Sequence, residues 1–478
     1  MHDVNALAAR LQSIGQEHLL RFRDELTLAQ QAVLFEQIEA LDFEALPGWI
    51  ERYVRSRAIF ELPERIEPPV WYPRDSKSKR RSYDASRFRA IGEDLIRAGK
   101  VAAFCVAGGQ GTRLGWDGPK GTYPATPITR KPLFQVFAEQ LLAASRRWGR
   151  SIPLYVMTSP LNHQPTVQFF ESHRFFDLTR EDVMFFQQGV MPSFDRATGR
   201  ILLAGKGELA LNPDGHGGSL RALHRSGAID DMTRRGIEHI SYIQVDNPHV
   251  RVIDPLFLGL HAAAEDSSGE MSSKMLPKTG PFEKLGNFCR VNGRTTIIEY
   301  SDLPDSLAEQ RDERGDLRFG AGSLAIHCLG VEFVRRLNTA TCGFALPFHR
   351  ADKKVAHLDL DTGAMIEPSE PNAVKLETFV FDALPLCESS IVLETDRVEE
   401  FAPIKNLSGV DSAESSRALQ IERCARWLEA AGAKVPRGAK GDCTAVIEIS
   451  PLTALEANDL RGRADLPESI AAGDEVLL

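Results

Sequence analysis

Arg113 and Lys120 lie in a stretch crowded with glycine, Phe104-Cys105-Val106-Ala107-Gly108-Gly109-Gln110-Gly111-Thr112-Arg113-Leu114-Gly115, continued by Trp116-Asp117-Gly118-Pro119-Lys120. The apolar run from Val101 to Ala107 reads as a buried strand. The glycines after it permit a close backbone approach to a ligand, or unusual backbone angles. Free backbone N–H groups, a guanidinium that grips two oxygens and a point-charge ammonium make a site for a polyphosphate. The plain alternative is a glycine-rich turn with two solvated basic side chains. A Walker loop does not fit, because Gly118-Pro119-Lys120-Gly121 places a proline before the lysine and no hydroxyl after it. A dinucleotide fingerprint fits poorly too. The next helix is expected near Lys131, and the second strand ends in Thr158-Ser159 without a carboxylate.

Other residues could do chemistry near such a loop. Asp246 ends the apolar strand His239–Val245, where a carboxylate either caps the following turn or meets a magnesium ion already held by phosphates. Pro213-Asp214-Gly215-His216-Gly217-Gly218 is a second glycine-rich turn before a helix. It is either a surface turn or a place where a flat base or ribose lies against backbone. Gln188 closes another strand, and Lys375 and Lys405 taken alone read as solvated. No Ser-His-Asp or Cys-His constellation is apparent. Cysteines 105, 289, 328, 342, 387, 424 and 443 never fall in a C-x-x-C pair, so neither zinc nor disulfides are expected.

The elements that position these residues alternate as in an α/β domain. Strands are expected at Val101–Val106, Pro153–Thr158, Val183–Gln188, Ile201–Ala204 and His239–Val245. Helices are expected at Lys131–Trp148, Pro165–His173 and Ser219–Met232. Strand, crossover helix and strand in that order predict a parallel sheet with ligands at the carboxyl ends of its strands. Residues 1–95 read as a helical arm without chemistry, its basic run Lys77-Ser78-Lys79-Arg80-Arg81 as a solvated linker. Residues 96–409 read as the catalytic domain and 410–478 as a small α+β domain, with a helix from Ala413 and a β segment at Thr444–Ile449. The chain has 478 residues and a net charge of −9, which argues against nucleic acid or an anionic membrane as partner. The N-terminus lacks a secretory signal, and no apolar run approaches the ~18–20 residues of a spanning helix. A cytoplasmic protein is expected.

The glycine stretch resembles the signature loop of nucleotidyltransferases that make nucleotide sugars. The chain as a whole is similar to the eukaryotic-type UDP-sugar pyrophosphorylase family, closest to its N-acetylglucosamine members, from about residue 100 to 430 and again at Ile447-Glu448-Ile449-Ser450-Pro451-Leu452. The resemblance implies a Rossmann-like (GT-A-like) fold: a mixed, mainly parallel sheet with helices on both faces. It implies conversion of UTP and a sugar 1-phosphate, N-acetylglucosamine 1-phosphate first, to a UDP-sugar and pyrophosphate by in-line attack on the α-phosphate, with Mg²⁺. Arg113, Lys120 and Lys405 would be catalytic. Ala107, Gly108, Gly109, Gln188, Gly215 and His216 would bind the nucleotide, and Asp246 the metal. Gln188 would pair with uracil, whose imide needs one donor and one acceptor. Gly286, Glu299, Tyr300, Ser323 and Lys375 would line the sugar phosphate site. Two positions depart from the pattern that the resemblance implies: His216, more often asparagine in the N-acetylglucosamine members, and Ser323, where the family's motif ends in asparagine. A glucose 1-phosphate or broad-range enzyme is the alternative within the family. Outside it stand a nucleotide-sugar sensor without turnover and, disfavoured by the loop, an NAD-linked oxidoreductase.

Overall fold

Val101–Val106 forms strand β1, and its first five side chains are all buried, as in a strand covered on both faces of its sheet. The computed structural model describes residues 3–56, 62–339 and 344–478; Cys342 lies outside them. Its contacts divide the chain into two units, one of residues 62–187, 220–344 and 383–478, the other of residues 1–61, 188–219 and 345–382.

In the larger unit β1 is followed by β2 (Leu154–Thr158), β3 (Val183–Gln187) and β4 (His239–Gln244). The strands β5 (Met271–Pro277), β6 (Asn287–Val291), β7 (Arg294–Ile298), β8 (Ala321–Gly330) and β9 (Val392–Glu394) complete the central sheet with a short edge strand, Ile66–Glu67. The order runs Ile66–Glu67, β6, β8, β4, β1, β2, β3. Strands β4, β1, β2 and β3 are parallel to one another, the half expected from the alternating pattern. Strand β8 is antiparallel to β4, β5 and β6, and β6 to β7. Motifs at carboxyl ends of parallel strands therefore account for the loop after β1 and for Asp246 after β4. Gly286, Glu299 and Ser323 instead belong to the antiparallel half.

Aromatic packing fixes the middle of this sheet. Phe104 of β1 stacks on Phe186 of β3 at 5.8 Å and meets Tyr242 of β4 edge-on at 5.5 Å. Helices α1 (Ala85–Arg97), α2 (Leu133–Trp148), α3 (His163–Ser172) and α4 (Pro255–Ala263) connect these strands. The helix expected over Ser219–Met232 is broken into Gly218–Arg225 and Ala228–Arg234, because Gly227 takes a left-handed φ of 78°. The basic run is not a free linker either. Arg80 lies 4.3 Å over Trp71, and Arg81 lies 3.6 Å over Tyr72 while gripping Asp266 with two hydrogen bonds of 2.9 and 3.0 Å. Near the C-terminus α5 (Ala413–Ala430), capped by Ser412, packs Cys424, Trp427 and Leu428 on Ile447, Leu460 and Ile470. Among the described residues no helix is long and apolar enough to cross a membrane.

In the smaller unit the arm has a defined task. Leu11, Leu19, Leu34, Phe35 and Ile38 pack on Phe194, Ile201, Val374 and Leu376. Gln16 accepts the backbone N–H of Ile201 at 2.8 Å. The strand expected over Ile201–Ala204 spans Leu203–Gly205 instead. The strand Ala373–Glu377 is flanked by His349–Lys353 and Phe194–Asp195, and carries Lys375.

Candidate active site

Asn162 holds the glycine loop in place. It is fully buried, and its Nδ2 donates to the carbonyls of Ala107 at 3.0 Å and Gly109 at 3.2 Å. Its Oδ1 accepts from the backbone and hydroxyl of Ser159. The loop then folds back on itself, Gly111 N–H to Gly118 carbonyl at 2.9 Å and Lys120 N–H to Gly109 carbonyl at 3.1 Å. Lys120 is thereby returned to the end of β1. Arg113, in a single 3₁₀ turn, is exposed, and among the described residues no ion pair engages its guanidinium.

Lys120 Nζ stands 3.9 Å from Asp246 Oδ2, both side chains mostly buried. Asp246 also receives the Lys405 segment, since its carbonyl accepts the N–H of Ile404 at 2.8 Å. Lys405 Nζ is 3.7 Å from Asp411, whose backbone carbonyl accepts the N–H groups of Lys405 and Asn406. Burial, with the nearby charge of Asp246, pushes the Asp411 carboxyl above the usual carboxylate range, and Lys405 opposes this. A Cβ built on Gly115 would stand 3.7 Å from Leu407, so the 405–411 loop meets the glycine loop.

The antiparallel half gathers three of the expected sugar residues. Ser323 N–H donates to the Gly286 carbonyl at 2.9 Å. A Cβ on Gly286 would come 2.7 Å from Ile297 and 3.3 Å from Glu299 Oε1, so only glycine lets these side chains pack so close to the backbone there. Tyr300 is nearly half exposed beside them. Lys278, which the sequence did not single out, donates to Asn287 Oδ1 at 2.8 Å next to this group.

The smaller unit holds Gln188, Gly215, His216 and Lys375. The turn at 213–218 is pinned by Thr378, whose N–H and hydroxyl donate to the Asp214 carbonyl at 2.8 and 3.0 Å, and whose own carbonyl accepts from Gly217 at 2.8 Å. Gly215 has a φ of 84° and would clash with Thr378 if it bore a Cβ. Gln188 is one residue from Gly189, where a Cβ would lie 2.4 Å from Asp214 Oδ2. His216 stacks on Phe379 at 5.2 Å, and its Nδ1 accepts the N–H of Val380 at 3.1 Å. Burial lowers its pKa from 6.5 to about 4, so the ring is neutral with its proton on Nε2. Burial also lowers the Lys375 ammonium pKa, partly offset by Glu377.

Asn162, Thr378, Phe379 and Asp411 escaped sequence reasoning. Asn162, Thr378 and Phe379 act on backbone or ring atoms far along the chain, and no local pattern marks such a role. Asp411 alone had a signal, an acidic residue closing the short loop that opens with Lys405.

The glycine loop folds back onto a strand-end aspartate on a mixed sheet, and the match of the chain to a uridylyltransferase family makes the protein a nucleotidyltransferase. The model of the family described as UTP--glucose-1-phosphate uridylyltransferase matches residues 76–428, and the chain belongs to that family. It is 35% identical to UDP-N-acetylhexosamine pyrophosphorylase-like protein 1 of Xenopus tropicalis, over 93% of this chain and 91% of that one. It is 33% identical to UDP-N-acetylglucosamine pyrophosphorylase of Saccharomyces cerevisiae, over 89% and 91%. The crystal structure of uridine diphosphate N-acetylglucosamine pyrophosphorylase from Trypanosoma brucei, in complex with inhibitor, matches with a TM-score of 0.81 at 26% identity, over 100% of this chain and 98% of that one.

Proposed function

We propose that the protein transfers the uridylyl group of UTP to N-acetylglucosamine 1-phosphate and releases pyrophosphate. The observation that carries this reading is the meeting of Lys120 and the Lys405 segment on Asp246, beside the glycine loop. The relatives, an N-acetylhexosamine and an N-acetylglucosamine pyrophosphorylase by name, favour the acetylated sugar.

A sugar phosphate is already an anionic nucleophile near neutrality, its second pKa being about 6. It needs no general base, only alignment with the α-phosphorus and cancellation of charge as it develops. Arg113 and Lys120 bind the phosphates that leave as pyrophosphate, and Lys405 binds the α-phosphate. Gln188 and the 213–218 turn select uracil, while Gly286, Glu299, Tyr300, Ser323 and Lys375 orient the sugar phosphate. Mg²⁺ fits the donor set. Asp246 offers one mostly buried carboxylate, and Mg²⁺ is commonly held by one or two carboxylates together with substrate phosphates. Among the described residues no group of three or more His, Cys, Asp or Glu forms a metal cage. Held by Asp246, the ion would supply neutralisation of charge on phosphate oxygens. We place the reaction in the cytoplasm, consistent with cysteines that are free wherever the chain is described.

One observation favours a second sugar. Ser323 stands where the N-acetylglucosamine members carry asparagine, so glucose 1-phosphate is the competing acceptor. The deciding experiment is pyrophosphate release from UTP and Mg²⁺ with a panel of sugar 1-phosphates. N-acetylglucosamine 1-phosphate is expected to turn over best, with CTP, ATP and GTP far poorer donors. UTP binding without release for any sugar phosphate would mark a sensor instead.

A further inference from the structure

Behind Asp246 lies a buried ion cluster that the reaction does not use. Lys274, in β5, has a side chain only 1% exposed. Its Nζ lies 2.6 Å from Asp254 Oδ2 and 2.6 and 2.8 Å from the two carboxylate oxygens of Glu400. Thr395 donates its hydroxyl to Glu400 at 2.6 Å. Taking such charges out of water is costly, and the cluster is tolerable only with every partner in place. It therefore fixes residue 400.

Asn247 reads that fixed point. It is buried, and its Nδ2 donates to the backbone carbonyl of Glu400 at 2.7 Å. Its Oδ1 accepts the N–H groups of Ala402 at 3.0 Å and His249 at 3.2 Å. An amide can donate and accept at once, as this bridge requires. Asp246 is the residue before Asn247, and its carbonyl receives Ile404, the residue before Lys405. The Asn247 amide thus clamps the chain carrying Asp246 to the chain carrying Lys405.

We propose that Asn247, braced by the Lys274–Glu400 ion pair, is a positioning residue that sets the spacing between the Asp246 carboxylate and the Lys405 ammonium. It touches no substrate itself. The proposal rests on the roles given above to Asp246 and Lys405.

The test is Asn247→Asp in the full chain, together with Asp246→Asn, Lys405→Ala and the double variant Asn247→Asp/Lys405→Ala. The aspartate keeps the shape but turns a donor into an oxygen facing the Glu400 carbonyl. A misplacement of about 1 Å costs on the order of 10²-fold in rate. The expected result is a fall of roughly 30- to 100-fold in kcat with KM for UTP within about threefold, because ground-state binding is spread over other contacts. In the Lys405→Ala background the same change should cost less than about threefold, since the group it positions is gone. Asn247→Ser, too short to bridge, should repeat the loss. Full additivity with Lys405→Ala overturns the proposal, as does kcat within about twofold of wild type. So does unfolding of both residue 247 variants in thermal melts, which would make Asn247 a pillar of the fold instead. Should Lys405→Ala and Asp246→Asn themselves stay near wild type, the site assignment has failed and the proposal falls with it.

Discussion

The ammonium of Lys120 and the carboxylate of Asp246 stand 3.9 Å apart because β1 and β4 pair in parallel, with Val106 opposite Gln244. Residues just past both strands emerge at one level of the sheet, and the loop's closure on Gly109 brings Lys120 back to that level. We predict that Lys120→Ala and Arg113→Ala each lower kcat/KM by roughly 10²–10³, as loss of a charge that meets the transition state does. Asp246→Asn should abolish most turnover, with excess Mg²⁺ restoring only part. Thermal melting of Arg113→Ala should match wild type, since the side chain is exposed and unpaired by ions among the described residues. Activity of Asp246→Asn that persists in EDTA would remove this residue from the site.

Asn162 gives a prediction of another kind, because it supports the glycine loop from within the fold, through backbone carbonyls. Asn162→Ala leaves the carbonyls of Ala107 and Gly109 without their side-chain donor. A buried polar group so abandoned costs about 1–3 kcal/mol. Urea unfolding should show that loss, and KM for UTP should rise as the loop loosens. Unchanged KM in a destabilised protein would confine Asn162 to the fold.

Much of the larger unit was legible because its signals are local. Buried strands such as Val101–Val106 and Leu154–Thr158 are short apolar runs, and α2 shows its apolar face at helical spacing. The glycine loop and Asp246 carried their chemistry in residue type. The antiparallel pairing of β8 did not, because its partners β4, β5 and β6 are far away in sequence and an apolar run does not state its direction. The service of the arm to the Lys375 strand was equally hidden. Leu34 and Ile38 read as one face of a helix, and nothing local says that the face meets Val374 and Leu376. His216, expected beside the base, has its Nδ1 engaged by the N–H of Val380, a partner far along the chain that no local pattern announces.

That histidine should make stability depend on pH. Its folded pKa, about 4, lies below the ordinary 6.5, so the folded state binds fewer protons than the unfolded chain. Its contribution is complete above pH 6.5 and is lost as pH falls towards 4. By linkage this single group removes about 2 kcal/mol at pH 5. His18, His239, His249 and His261, also lowered by burial, act in the same direction. We predict that His216→Asn, compared with wild type by urea unfolding at pH 7.5 and pH 5, loses about 2 kcal/mol less on acidification. An equal loss in both proteins would show that His216 does not carry this part of the acid response.

Sugar choice is the sharpest remaining prediction, and it turns on Ser323. Its backbone is fixed by the Gly286 carbonyl at 2.9 Å, and Gly286 in turn packs closely against Ile297 and Glu299. These residues therefore lie side by side, and an asparagine at 323 would reach further from the group with both a donor and an acceptor. Serine is shorter and presents one hydroxyl, leaving room for a bridging water. A direct hydrogen bond discriminates strongly between sugars, because the wrong one leaves a buried polar group unpaired, and a water-filled gap discriminates weakly. N-acetylglucosamine 1-phosphate should therefore exceed glucose 1-phosphate in kcat/KM by only about tenfold or less in wild type. Ser323→Asn should widen that ratio by at least about tenfold, mostly by lowering turnover of glucose 1-phosphate. The measurement is kcat/KM for both sugars in both proteins. If wild type already separates them by several orders of magnitude and the asparagine leaves the ratio unchanged, Ser323 takes no part in choosing the sugar.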